Sequence, residues 1–133
     1  MKKIAVIGAG SWGTAVAALL ARKNLVVSLW AREKDLAEKI KLTRFNPRYL
    51  SEVIIPANVF PTNDLPESLK EADVVVLTVP SHAMRFTIKR IRDFLKPNMF
   101  LVSLAKGIEV DTFMRMSEII ESNLPTEFHP NIA

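Results

Sequence analysis

Residues 3–23 read KIAVIGAGSWGTAVAALLARK, and this stretch decides the fold. Lys3–Ile7 is a short apolar run rich in β-branched residues that stops at a glycine, the pattern of a buried strand. Ser11–Lys23 follows with Ala- and Leu-rich faces and basic residues in its last turn, where the helix dipole favours them, so a helix is expected. Between the two stand Gly8, Gly10 and Gly13 in the G-x-G-x-x-G spacing. The first allows a tight turn, the second lets backbone approach a pyrophosphate, and the third lets the helix pack closely on its strand. Backbone N–H groups at the start of the helix then face the phosphates. Placed directly between a strand and a helix, the spacing is a dinucleotide fingerprint. A bare glycine turn, a flavin or an S-adenosyl ligand are the alternatives it leaves.

Outward from this unit, strands and helices alternate. Leu25–Trp30 is a second strand and Glu33–Leu42 a helix, apolar at Leu36, Ala37 and Ile40. Arg44–Asn63, with Pro47, Pro56 and Pro61, is long for a loop, so it is functional or hides short strands at Val53–Ile55 and Asn58–Phe60. Asp64 with Glu67 makes a capping-box pattern for a short helix to Glu71. Val74–Val79 is continuously apolar except for Thr78, as a central parallel strand covered on both faces requires. Ser81–Leu95 places Met84, Ile88, Ile91 and Leu95 on one helical stripe, with Arg85, Lys89, Arg90 and Arg92 on its outer face. Met99–Leu104 is the next strand, and Thr112–Asn123 a last helix burying Met116, Ile119 and Ile120. The expected fold is α/β: a Rossmann-type, doubly wound, mostly parallel sheet with helices on both faces.

The chain has 133 residues, 49% hydrophobic and 24% charged, which describes one ordinary globular domain over residues 1–133. It has no cysteine, which excludes disulfides, thiolate metal sites and cysteine nucleophiles, and suits a reducing, cytoplasmic setting. No metal-ligand spacing and no serine triad is visible. The formal charge of +4 does not imply nucleic acid, because the basic residues form solvated faces with acids between them. Lys2 and Lys3 before an apolar run resemble a secretory signal, but the three glycines interrupt it. No stretch is long enough to be expected in a membrane.

The end of the second strand reads the cofactor. Domains specific for NAD place an acid there for the ribose 2′-hydroxyl, whereas here Arg32 occupies the position and Glu33 comes one residue late. Arg32 is suited to the 2′-phosphate, so NADP(H) is expected to be preferred, or NAD(H) and NADP(H) both accepted. Ligands of open parallel sheets gather beyond the carboxyl ends of the strands, near the reversal of strand order. Gly8–Ser11, Ala31-Arg32, Pro80-Ser81 and Ala105-Lys106-Gly107 all leave such ends. Ser81 is suited to cap the next helix, and Lys106 to neutralise a substrate phosphate beside the nicotinamide. Trp12 stacks on the cofactor or shields it. His82, with no assignable carboxylate partner, reads as a packed or solvent-facing residue, and His129 as a tail residue without a role.

Four segments carry a resemblance: IAVIGAGSWG (4–13), RFNPRYL (44–50), ADVVVLTVPSHAMR (72–85) and SLAKGIE (103–109). Together they resemble prokaryotic-type NAD(P)-dependent glycerol-3-phosphate dehydrogenases, over essentially the whole chain. The resemblance implies reversible reduction of dihydroxyacetone phosphate to sn-glycerol 3-phosphate, which feeds phospholipid synthesis. It implies cofactor contacts from Ser11, Trp12, Arg32 and Tyr49, with Lys106 facing both nicotinamide and substrate. Members are more than twice as long, and an α-helical second domain supplies the catalytic lysine. The expectation is therefore a truncated domain, with no catalytic residue of its own and inactive alone. Met99–Leu104 would be an exposed sheet edge open to a second copy, which predicts a homo-oligomer. A non-catalytic NAD(P)-binding module, or a reductase domain for another keto or sugar acid, is the alternative function.

Overall fold

β1 (Lys3–Ile7) is buried from Ile4 to Ile7 because its alternate side chains enter two separate apolar clusters. Ala5 and Ile7 join one, while Ile4 and Val6 join the other. That is the packing of a strand covered on both faces. The computed structural model describes residues 2–133; Met1, first residue of the expected domain, lies outside them. β1 is flanked by β2 (Val26–Trp30) and β4 (Val74–Leu77), with β3 (Val59–Thr62) and β5 (Phe100–Ser103) beyond. The order is β3-β2-β1-β4-β5, and every pairing is parallel. Helices α1 (Ser11–Ala21) and α2 (Lys34–Thr43) contribute to the cluster of Ile4 and Val6. Helices α3 (Leu65–Leu69), α4 (Met84–Ile91) and α5 (Met116–Ser122) cover the opposite face. The expected doubly wound sheet is present, and chain order reverses between β1 and β4.

The expected apolar stripes are buried as read: Leu36, Ala37 and Ile40 in α2, Met84, Ile88 and Ile91 in α4 with Leu95 after the 3-10 turn (Arg92–Phe94) that follows it, and Met116, Ile119 and Ile120 in α5. Several boundaries differ for local reasons. Arg22 and Lys23 fall just beyond α1, so its last turn carries no base. Val53–Ile55 forms no strand, whereas Asn58–Phe60 overlaps β3. Asp64 does cap α3, accepting from the Glu67 amide at 3.1 Å. Ser81 does not cap α4: it lies inside a 3-10 turn, Ser81–Ala83, that Ala83 closes by donating to the Pro80 carbonyl. α5 begins at Met116 rather than Thr112, because residues 109–114 form a tight turn in which Phe113 takes a φ of +59°. There the Glu109 amide donates to the Met114 carbonyl and the Phe113 amide to the Glu109 carbonyl, both at 2.8 Å.

Two further expectations are corrected. The β5 edge is not open: Ala133 donates to the Leu101 carbonyl and accepts from the Ser103 amide, both at 2.8 Å, and Leu101 and Ile132 form a parallel bridge. The Leu101 carbonyl and the Ser103 amide, which would face a second copy, are therefore taken. His129 is not idle either. Its Nε2 lies 2.9 Å from the Glu121 carbonyl and 3.1 Å from that of Leu124, so its N–H fastens the terminal 3-10 turn (Thr126–Asn131) to the end of α5. Among the described residues no helix is long and apolar enough to cross a membrane, and no group of three His, Asp or Glu could hold a metal.

Candidate functional site

The glycine turn is where β1 hands the chain to α1. Gly8 adopts a φ of +120°, a region L side chains rarely enter, and its amide donates to the Trp30 carbonyl, tying the ends of β1 and β2 together. Gly10 stands at the helix N-cap with no side chain to offer, and the first helical bond is that of the Thr14 amide to the Gly10 carbonyl at 3.0 Å. The amides of Ser11, Trp12 and Gly13 precede it and have no partner within the helix. The first turn holds no acid. This is a site for an anionic group, with the positive end of the helix dipole behind it.

A cleft of about 490 Å³ opens over this turn, and a second of about 380 Å³ adjoins it. They share Trp12, Thr78, Val79 and Pro80. The larger arm reaches past Arg32, Glu33 and Tyr49 to His82, Phe86 and Arg90 on the α4 side. The smaller is lined by Ser81 and by Leu104, Ala105 and Lys106, which leave β5. Of the residues expected at the rim or in the site, all but Gly13, Ala31 and Gly107 line one arm or the other. Gly13 faces the strand instead, with Gly8 and Thr78 as its neighbours.

The rim is held by side chains that the sequence reading passed over. The Thr78 hydroxyl lies 3.0 Å from the carbonyls of Ile7 and Gly8, clasping the glycine turn to the end of β4. Asn63 donates to the Ala31 and Arg32 carbonyls at 3.0 and 2.8 Å, fixing the backbone that presents Arg32. The Arg32 side chain itself is 80% exposed and 3.6 Å from the Glu33 carboxylate, which Arg48 also approaches at 3.8 Å. Arg90 is not merely solvated: its guanidinium carbon sits 5.6 Å from the ring centres of both Trp30 and Phe86. His82 is exposed but borders the larger arm. The bonds of Thr78 and Asn63 have no signal in local spacing, since their partners lie 31 to 71 residues away.

Arg85 also departs from the expected outer face. Its guanidinium grips the Glu109 carboxylate with two bonds of 2.9 Å, and Thr112 donates to the same carboxylate. The segment after Lys106 is thereby anchored to α4. The Arg85 hydrogen bond, with that of Thr112, holds the Glu109 carboxyl down at about 2 against an ordinary 4.5. A carboxyl that binds its proton less readily when folded stabilises the fold above its unfolded pKa and loses that effect as pH falls. The melting-temperature gap between the unmodified chain and Glu109→Gln is expected to be constant at neutral pH. It should close as pH falls from about 4.5 towards 2, as thermal scans across that range would show. A gap independent of pH would mean that the pair contributes nothing.

The comparisons with known proteins agree with this geometry. A family model described as the NAD-dependent glycerol-3-phosphate dehydrogenase N-terminus matches residues 3–133. A glycerol-3-phosphate dehydrogenase [NAD(P)+] of Corynebacterium kroppenstedtii is 48% identical over 129 residues, 96% of this chain and 39% of the relative. One from Moorella thermoacetica is 46% identical over 119 residues, 90% of this chain and 36% of the relative. The crystal structure of a glycerol-3-phosphate dehydrogenase from Coxiella burnetii superposes with a TM-score of 0.86 at 30% identity, over 98% of this chain and 38% of that one. The chain thus spans about two-fifths of the length of the curated relatives it matches. With the parallel sheet, the glycine turn and the two-armed cleft at the reversal of strand order, the match is decisive: this chain belongs to the NAD-dependent glycerol-3-phosphate dehydrogenase family, in the part described as its N-terminus.

Proposed function

We propose that this chain is the coenzyme-binding part of an NAD(P)-dependent glycerol-3-phosphate dehydrogenase, which interconverts dihydroxyacetone phosphate and sn-glycerol 3-phosphate. The observation that carries the reading is that the arm over the glycine turn adjoins a second arm through the shared residues Trp12, Thr78, Val79 and Pro80. A dinucleotide has one diphosphate and two unlike ends, and the site has an anion-binding turn in the larger of two unlike arms that join beside it at Trp12. Its residues fit the coenzyme, for a Cβ built on Gly10 would meet no protein atom within 4 Å. The space above the turn is open to a phosphate.

In this reading the amides of Ser11 and Trp12 hold the diphosphate, and Tyr49 walls the adenosine arm. Arg32 takes the 2′-phosphate, which favours NADPH or allows both coenzymes. Trp12, Pro80 and Ser81 border the nicotinamide arm, where Lys106 brings a positive charge to the substrate phosphate or the carbonyl oxygen. When bound, the coenzyme supplies the hydride; the chain's own residues orient it and balance its charge. The catalytic lysine and the remaining substrate contacts belong to the part of the relatives' length that these residues do not match.

An assay of NADPH oxidation with dihydroxyacetone phosphate tests the proposal. The chain alone is expected to bind NADPH without turnover. Turnover is expected once it is co-expressed with a polypeptide spanning the rest of a relative's length. Turnover by the chain alone would place the catalytic group within these residues, and the absence of coenzyme binding would refute the whole reading.

A further inference from the structure

Asn46 is wholly buried and uses every hydrogen-bonding position it has. Its Nδ2 donates to the Ala9 carbonyl and to the Thr14 hydroxyl, both at 2.9 Å. Its Oδ1 accepts from the amides of Arg48 and Tyr49 at 3.2 and 3.1 Å. A carboxamide offers two donors and two lone pairs, so nothing is left over. The two halves of this network belong to different parts of the site. Ala9 sits within the glycine turn, while Arg48 and Tyr49 lie in the loop that follows α2 and borders the larger arm. The base of that loop is fastened separately by Arg44, which takes a left-handed φ of +61°. Its guanidinium donates to the carbonyls of Ile55, Pro56 and Val59. Among the hydrogen bonds of the described residues, those of Asn46 join the loop's tip to the turn.

The bond to Ala9 also has a direction. In a trans peptide the carbonyl and the following N–H point opposite ways. Drawing the Ala9 carbonyl inward to a buried amide turns the Gly10 N–H away from Asn46, and Gly10 borders the cleft. An apolar residue of similar volume would fill the space without fixing that peptide. We propose that Asn46 is a positioning residue that locks the Arg48–Tyr49 loop to the glycine turn, so that the diphosphate grip and the adenosine wall act on a dinucleotide as one unit. The proposal rests on the reading of the cleft as a coenzyme site.

The test is a titration of the chain with NADH, followed by the fluorescence of Trp12 and Trp30, both of which line the cleft. Asn46→Asp keeps the shape but replaces a donor with an oxygen facing the Ala9 carbonyl. At about pH 8 its Kd is expected to rise about tenfold or more, the cost of a buried acceptor left unmatched. Towards about pH 5 a raised carboxyl pKa restores an O–H donor, and the Kd should recover several-fold beyond any change in the unmodified chain. Ile119→Val, in the buried face of α5 far from the cleft, is expected to lower Tm while leaving Kd within about twofold. An Asn46→Asp variant whose Tm falls while its Kd stays within about twofold, as expected for Ile119→Val, or whose Kd shows no recovery at low pH, overturns the proposal. A second measurement covers failure of that variant to fold. Inorganic pyrophosphate, which carries no adenosine, is expected to slow hydrogen exchange of the Arg48 and Tyr49 amides in the unmodified chain by about twofold or more. Unchanged exchange in its presence also overturns the proposal. Failure of the unmodified chain to bind NADH is the separate outcome that removes the coenzyme site itself.

Discussion

Gly13→Ala is expected to abolish coenzyme binding, lowering NADH affinity by about a hundredfold or more, because α1 can no longer sit where it must. A Cβ at this position would lie 1.8 Å from the Gly8 carbonyl oxygen, 2.6 Å from the Thr78 hydroxyl and 2.9 Å from the Gly8 carbonyl carbon. Two of these are backbone atoms, and the hydroxyl is bonded to the turn itself, so no flexible side chain can give way. The helix start must lift off β1, and its unpaired amides move with it. Overpacking of this kind costs about 1–3 kcal/mol, or about 3–15 °C in Tm for a domain of this size. Gly10→Ala separates the two consequences. Gly10 has an ordinary extended backbone and an unobstructed Cβ direction, so the variant should melt with the unmodified chain yet bind NADH more weakly. Thermal melts and NADH titrations of both variants check this. A Gly13→Ala chain that bound NADH normally would show that the close helix–strand contact is irrelevant to the site.

Arg32→Ala is expected to lower NADPH affinity by about ten- to a hundredfold while leaving NADH affinity nearly unchanged. A charge-assisted hydrogen bond to a phosphate contributes about 1.5–3 kcal/mol, and each 1.4 kcal/mol is a factor of ten. The lower end applies if the phosphate stays well hydrated, since the Arg32 side chain is largely in water and already has Glu33 as a neighbour. Glu33 opposes a 2′-phosphate by its charge, but the approach of Arg48 offsets part of that repulsion. Parallel titrations with NADPH and NADH give the ratio directly. An unchanged ratio in Arg32→Ala would mean that discrimination lies elsewhere on the rim, with Arg90 the next cation along the same arm.

The stretch from Lys3 to Ala21 was legible in full because its signals are local: a β-branched run, three glycines at fixed spacing and an Ala-rich helix. Continuous apolarity in β4 likewise announced a strand covered on both faces, and the 3.6-residue stripe of α4 announced its buried side. The rim residues followed from topology, because parallel strands bring all their carboxyl ends to one edge. What failed was local chemistry with an unseen competitor. Ser81 loses its capping role to a turn closed on Pro80, and Arg85 loses its solvated face to Glu109.

By itself, then, the amino-acid order determined most of the elements, the sheet class and the anion-binding turn, since each depends on side chains within a few positions of one another. Only the tertiary structure decided which polar groups hold that turn in place. Asn46, Asn63 and Thr78 look like loop or strand polar residues until folding brings carbonyls more than thirty positions away within 3 Å of them. A buried amide or hydroxyl must find partners wherever the packed chain supplies them, and no local pattern records where that will be.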